Sequence, residues 1–217
     1  EEKLRFSWHN QSWTLSQFLH GEQGALLVAS QLTSCAPTFD AKLYAASQTF
    51  DEARHVETFN RYIQEKIGFM YPVNPHLKLL LDKILSDPRW DLKFIGMQII
   101  IEGLALAAFN TMRMVSLDPL LKEIIYLITR DEARHVTFGV NYLEYVVKHM
   151  TEEEIEERAQ FAYEACVVMR ERLIATEVFV EFGWDVAAAR ERVLSASVME
   201  YFRKFLFSRI IPNLARI

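Results

Sequence analysis

DEARHV, residues 51–56, returns letter for letter as DEARHV at residues 131–136. Leucines repeated this way would serve packing, but these six letters are mostly charge. If both copies are helical, Glu52 and His55 leave one helix face a turn apart, and so do Glu132 and His135. Each helix could then present a carboxylate and an imidazole to one ion.

The chain around the repeat reads as helix throughout. Its 217 residues contain only 7 Gly and 6 Pro, and 51% are apolar, enough for one sizeable core. Asn74-Pro75, Asp87-Pro88 and Asp118-Pro119 each place a capping residue before a proline suited to the first helical position. Thr14–Gln17 and Thr151–Glu154 have capping-box form, and Gly68 and Gly183 stand where helices would stop. These marks predict helices at 14–34, 39–67, 75–85, 88–115, 119–149, 151–182 and 185–210. The expected fold is all-α, one domain over 1–217: a four-helix bundle at 14–149 followed by accessory C-terminal helices at 150–217.

Composition narrows the function classes. A net charge of −5 with no basic block speaks against a nucleic-acid partner. Two cysteines, Cys35 and Cys166, make no disulfide framework and fit a reducing, cytoplasmic setting. EEKLRFSWHN carries neither a basic n-region nor an apolar h-region, so no leader is expected within these residues. The tail from Tyr201 mixes Arg203, Lys204, Arg209 and Arg216 with apolar residues, but membrane contact is not the expected reading.

Thirty residues before each motif glutamate stands another, Glu22 before Glu52 and Glu102 before Glu132. Both lie in apolar stretches, GEQGALLVAS and GMQIIIEGLALAAF, where a solvated glutamate is out of place. A lone buried carboxylate must be protonated, paired or metal-bound. Four converging glutamates carry −4, which two divalent ions offset, with two neutral imidazoles completing the set. Oxygen donors with one imidazole per ion suit iron or manganese, and no cysteine in the motif points to structural zinc. The candidate ligands are Glu22, Glu52, His55, Glu102, Glu132 and His135.

This order, a single Glu, Glu-x-x-His, a single Glu, Glu-x-x-His, resembles the ferritin-like di-iron carboxylate superfamily. The fuller form Asp-Glu-x-Arg-His is similar to that of its oxygen-activating branch: the hydroxylases of soluble bacterial monooxygenases and the small subunit of class I ribonucleotide reductase. That resemblance implies that Asp51 receives the free N–H of His135 and Asp131 that of His55, with Arg54 and Arg134 holding the aspartates. It also implies two Fe ions (or Fe/Mn, or Mn/Mn), O2 as co-substrate and an external electron donor such as a reductase or ferredoxin.

Departures from the branch patterns set expectations too. Phe59 stands where the reductase subunit usually has its radical tyrosine, and Glu22 where it usually has Asp. Arylamine N-oxygenases add a histidine where this chain has Ile128, and the monooxygenases a threonine where it has Leu106. The expected activity is a di-metal oxygenase or oxidase, a monooxygenase acting on a hydrophobic small molecule. Its slot is expected one turn from the ligands, at Phe18, Ala25, Ile99, Leu106 and Phe109. The metal ligands themselves are the only catalytic residues expected. Ferroxidase or peroxide-scavenging chemistry and a reductase-like radical generator are the alternatives, and a homodimer is expected, its interface or the bundle's cover coming from the last helices.

Overall fold

The computed structural model describes residues 1–217, and they are helical with no strand. In chain order the elements are α1 (Glu2–Cys35), α2 (Phe39–Tyr62) with a π-helical extension Ile63–Ile67, α3 (Pro75–Ser86) and α4 (Trp90–Phe94). A second π segment, Ile95–Ile101, joins α4 to α5 (Glu102–Val115), and α6 (Pro119–Val147), α7 (Glu152–Glu171), α8 (Thr176–Glu181), α9 (Val186–Ser195) and α10 (Ser197–Leu214) follow. Helices α1, α2, the rod Trp90–Val115 and α6 form the four-helix bundle of a ferritin-like fold. α1 packs mainly on α2 and α5 on α6, while α7 and α10 cover the rod.

Local chemistry sets most boundaries. Asn74 and Asp118 accept the N–H groups of His76 and Leu120, capping α3 and α6 ahead of their prolines. Thr151 and Glu154 form a reciprocal capping box. Gly68, at φ 87°, closes the π extension in the left-handed conformation that only glycine adopts cheaply.

Four expectations need correction. α1 begins at Glu2, not near 14: Thr14 donates back to Asn10 O instead of capping, and the first turns are held by remote contacts, Phe6 against Phe182 and Trp184 and Trp13 Nε1 to Glu177. Asp87 accepts the Arg89 N–H in a turn, so α4 starts two residues late, at Trp90. The helix expected at 151–182 breaks at 172–175, and that expected at 185–210 breaks at Ala196 and runs on to Leu214.

The rod Trp90–Val115 is long and apolar enough to cross a membrane, but 83% of its most apolar stretch is buried by neighbouring helices. It is the core helix of the bundle. The bundle interior divides into two apolar layers. One holds Ala25, Ala45, Ile101, Leu104 and Val136; the other holds Phe18, Phe59, Phe109, Ile125 and Ile128. On α1, α2 and α6 the candidate ligands lie between the two layers, and on the rod Glu102 sits between Ile101 and Leu104 of the first, ahead of Phe109 of the second.

Candidate metal centre

All six candidate ligands converge in that gap, and none is more than 5% exposed. Their donor atoms form two overlapping groups: Glu22, Glu52, His55 and Glu132, and Glu52, Glu102, Glu132 and His135. Within each group the donors lie no more than 4.8 Å apart. Glu52 and Glu132 belong to both, so the geometry is that of two adjacent positions sharing two carboxylates.

His55 Nδ1 lies 3.2 Å from both Glu22 Oε2 and Glu52 Oε2 and 3.0 Å from Glu132 Oε1. His135 Nδ1 lies 3.2 Å from Glu52 Oε1, without the alignment of a hydrogen bond. On the far side of each ring, His55 Nε2 meets Asp131 Oδ2 and His135 Nε2 meets Asp51 Oδ2, both at 3.3 Å. Each aspartate thus reaches the histidine of the other motif. A neutral imidazole that donates Nε2–H to aspartate turns its Nδ1 lone pair toward the carboxylates.

Two arginines close this layer. Arg54 contacts Asp51 at 2.5 Å and Asp131 at 3.2 Å; Arg134 contacts them at 3.1 and 2.9 Å. Burial opposes the charge on Asp51, yet the bonds from Arg54 and His135 hold its carboxyl below the usual range. The four residues lie as a charged lattice over the buried cluster.

Charge in the cluster is unbalanced by the protein alone. Burial, reinforced by the negative charge of Glu132, raises the carboxyls of Glu22 and Glu102 well above their ordinary value. Burial also works against an imidazolium, but the surrounding glutamates win and raise both histidines, His135 up to about 12. Burial likewise opposes ionisation of Glu52, where the two histidines prevail and hold it low. Without a cation the cluster compensates with protons.

Of four buried side-chain atoms with no hydrogen-bond partner, three belong to this cluster: Glu102 Oε2, Glu132 Oε1 and His135 Nδ1. An unpaired buried donor or acceptor is costly, on the order of 1–3 kcal/mol each. These are two carboxylate oxygens and an imidazole nitrogen, a donor set that fits a divalent iron or manganese ion.

The fourth such atom is Gln98 Oε1, part of a feature the sequence reading missed. Gln48 Nε2 donates to Glu102 Oε1 at 2.8 Å and Glu52 Oε1 at 3.1 Å, and Gln98 Nε2 donates to Gln48 Oε1 at 3.2 Å. The signal was present: Gln48 is one turn before Glu52, and Gln98 is the polar letter inside GMQIIIEG. α6 admits Gln98 because Gly139 has no side chain; a Cβ there would meet Gln98 Cβ at 2.6 Å.

A cavity of about 50 Å³ adjoins Glu22, Glu102 and Glu132. Phe18, Ala25 and Phe109 line it, and Ile99 and Leu106 do not. The wider π turn rotates Ile99 off the line of Glu102 into the closed core, and Leu104, Ala105 and Ala108 line the wall in place of Leu106. Glu57 is exposed and faces away from the cluster, and Tyr62 is a core residue that donates to Asp118 at 2.6 Å.

No family model and no curated protein matches this chain. Among solved structures it is similar to an R2-like ligand-binding oxidase with an aerobically reconstituted Mn/Fe cofactor, at TM-score 0.70 and 20% identity over 94% of this chain and 77% of that one. It is similar as well to a variant with an Fe/Fe cofactor, at TM-score 0.69 and 20% identity over 94% and 78%. The bundle and its covering helices are therefore the fold shared with the R2-like, ferritin-like proteins.

Proposed function

We propose that this chain is a di-metal carboxylate oxidase that uses O2 to oxidise or hydroxylate a small molecule. The observation that carries the reading is the pair of four-donor groups sharing Glu52 and Glu132 in a closed core. Glu22 and His55 would hold one ion, Glu102 and His135 the other, with Glu52 and Glu132 between them. A pair of Fe ions, or Mn with Fe as in the structural neighbours, would supply electron transfer to O2 when bound.

The protein's own part is geometric and electrostatic. Asp51 and Asp131 fix the imidazole tautomers, Arg54 and Arg134 hold those aspartates in place, and Gln48 holds one oxygen of Glu102. Phe18, Phe59 and Phe109 exclude water from one side; Phe18 and Phe109 meet edge to face at 4.7 Å between centroids. The adjoining cavity gives an organic substrate access to the Glu102 and Glu132 side. Electrons would come from an external reductase or ferredoxin, in a cytoplasmic homodimer.

Phe59 is buried where a radical tyrosine would be needed, which favours oxidation of a small molecule over radical storage. The test is O2 uptake by iron- or manganese-loaded protein with and without organic substrates. Uptake that depends on an organic substrate supports the oxidase. Repeated oxidation of Fe(II) or consumption of H2O2 with no organic requirement would replace it with a metal-handling role.

A further inference from the structure

Arg172 carries a positive charge that no acidic side chain balances. It stands at the C-terminal end of α7, in the break where a continuous helix was expected, and its one side-chain hydrogen bond runs from Nη1 to Met169 Sδ at 3.7 Å. Arg54, Arg134 and Arg158, by contrast, each meet a carboxylate. The side chain is only partly exposed, and its partial removal from water lowers the guanidinium to about 10, with no carboxylate raising it again. The α7 carbonyls offer partial negative charge at that end, less than a carboxylate would.

The same residue lines the cavity that reaches the candidate metal ligands. Its walls combine Arg172, Met169 and Leu173 with the apolar Phe18, Ala105 and Phe109 and the acidic Glu22, Glu102 and Glu132. If two divalent ions offset the four glutamates, the guanidinium remains the unbalanced charge in this space. A guanidinium presents a planar fork of N–H donors that matches a carboxylate.

We propose that Arg172 recognises the acid group of the substrate: a short carboxylic acid whose carboxylate pairs with the guanidinium. Its carbons lie along Phe18, Ala105 and Phe109 and point toward Glu102 and Glu132. The space sets the size, since a cavity of about 50 Å³ takes only a few heavy atoms when one water needs about 10–15 Å³. This assignment deepens the oxidase reading and rests on it. It places the acid away from the metal ligands, with the carbon end toward them.

The experiment is calorimetric titration of sodium butyrate and of butyramide into manganese-loaded wild type, Arg172→Met and Arg172→Lys, with metal content and helicity measured alongside. Butyrate should bind wild type on the order of ten-fold or more tighter than the amide. Arg172→Met should abolish that preference at unchanged metal content, and Arg172→Lys should recover part of it. Equal affinity for acid and amide in wild type overturns the proposal. So does butyrate binding that Arg172→Met leaves unchanged, because the acid would then be held by the metal ions or the apolar walls. If Arg172→Met fails to fold, the wild-type preference and the lysine variant decide. A wild type that retains no metal overturns the oxidase reading instead, and the same titrations on metal-free protein still decide whether Arg172 reads an acid.

Discussion

The two DEARHV copies are identical in letters and nearly so in their crossed Asp–His contacts, yet the two halves of the cluster differ. On the His55 side, Nδ1 is within hydrogen-bonding reach of Glu22 and Glu52, and only Glu132 Oε1, 3.0 Å from it, is left without a hydrogen bond. On the His135 side, Nδ1 and Glu102 Oε2 have no hydrogen-bond partner, while Gln48 fixes the other oxygen of Glu102. The asymmetry comes from outside the repeat, from Gln48, Gln98 and the π segment before Glu102. Equal motifs therefore do not make equal metal positions, and order of loading or choice of metal can be set by neighbours.

The largest effects should come from what the halves share. Glu52→Ala or Glu132→Ala removes a donor from both groups, and metal per chain measured by mass spectrometry should fall toward zero. Glu102→Ala or His135→Ala should also abolish binding of the metal pair; a Glu102→Ala protein that keeps both ions would refute that glutamate's assignment. Gln48→Leu tests the asymmetry itself. It should weaken the Glu102 side by about 10- to 100-fold, roughly 1.4–2.7 kcal/mol, and leave the Glu22 side nearly unaltered in a two-step metal titration. A uniform loss on both sides would make the halves equivalent after all. Asp131→Asn should retain metal with weaker affinity, through His55.

Proton linkage gives a further contrast. In metal-free protein His135 is raised to about 12 from an ordinary 6.5, so its contribution to stability is full below about 6.5 and is lost as pH climbs through 12. Glu22 and Glu102, also raised, favour the proton-bound state in the same sense. Metal must displace these protons, so its affinity increases with pH. The rise in Tm on adding Mn(II) should therefore grow from pH 6 to pH 8; a rise that shrinks over that range would contradict the proton-filled cluster. The smallest effect belongs to Glu57→Ala, which should leave metal content unchanged, because that side chain faces solvent.

How legible these halves were follows from the range of the physics involved. Helix spacing is local, so Glu52, His55, Glu132 and His135 could be placed on shared faces from their letters, and the apolar neighbours of Glu102 marked it as buried. The caps at Asn74, Asp118 and Thr151 are local too. The π segments were not legible, because an added residue per turn leaves no mark in the composition of MQIII, and Ile99 was misplaced for that reason. Gln48 and Gln98 acquire meaning only when α2 and the rod bring them together. The early start of α1 depends on Phe6 and Trp13 meeting residues more than 160 positions away, and the break at Arg172 likewise shows only once the chain is folded.

The central claim is that Glu52 and Glu132 join two metal positions into one site. Its most direct test is metal per chain, by mass spectrometry, for wild type and the Glu52→Ala/Glu132→Ala double variant, both expressed with iron and manganese supplied. About two ions of iron or manganese in wild type and none in the double variant is the predicted result. No metal in either protein, or equal metal in both, would contradict it and leave the repeated DEARHV as a buried network of protons and ion pairs.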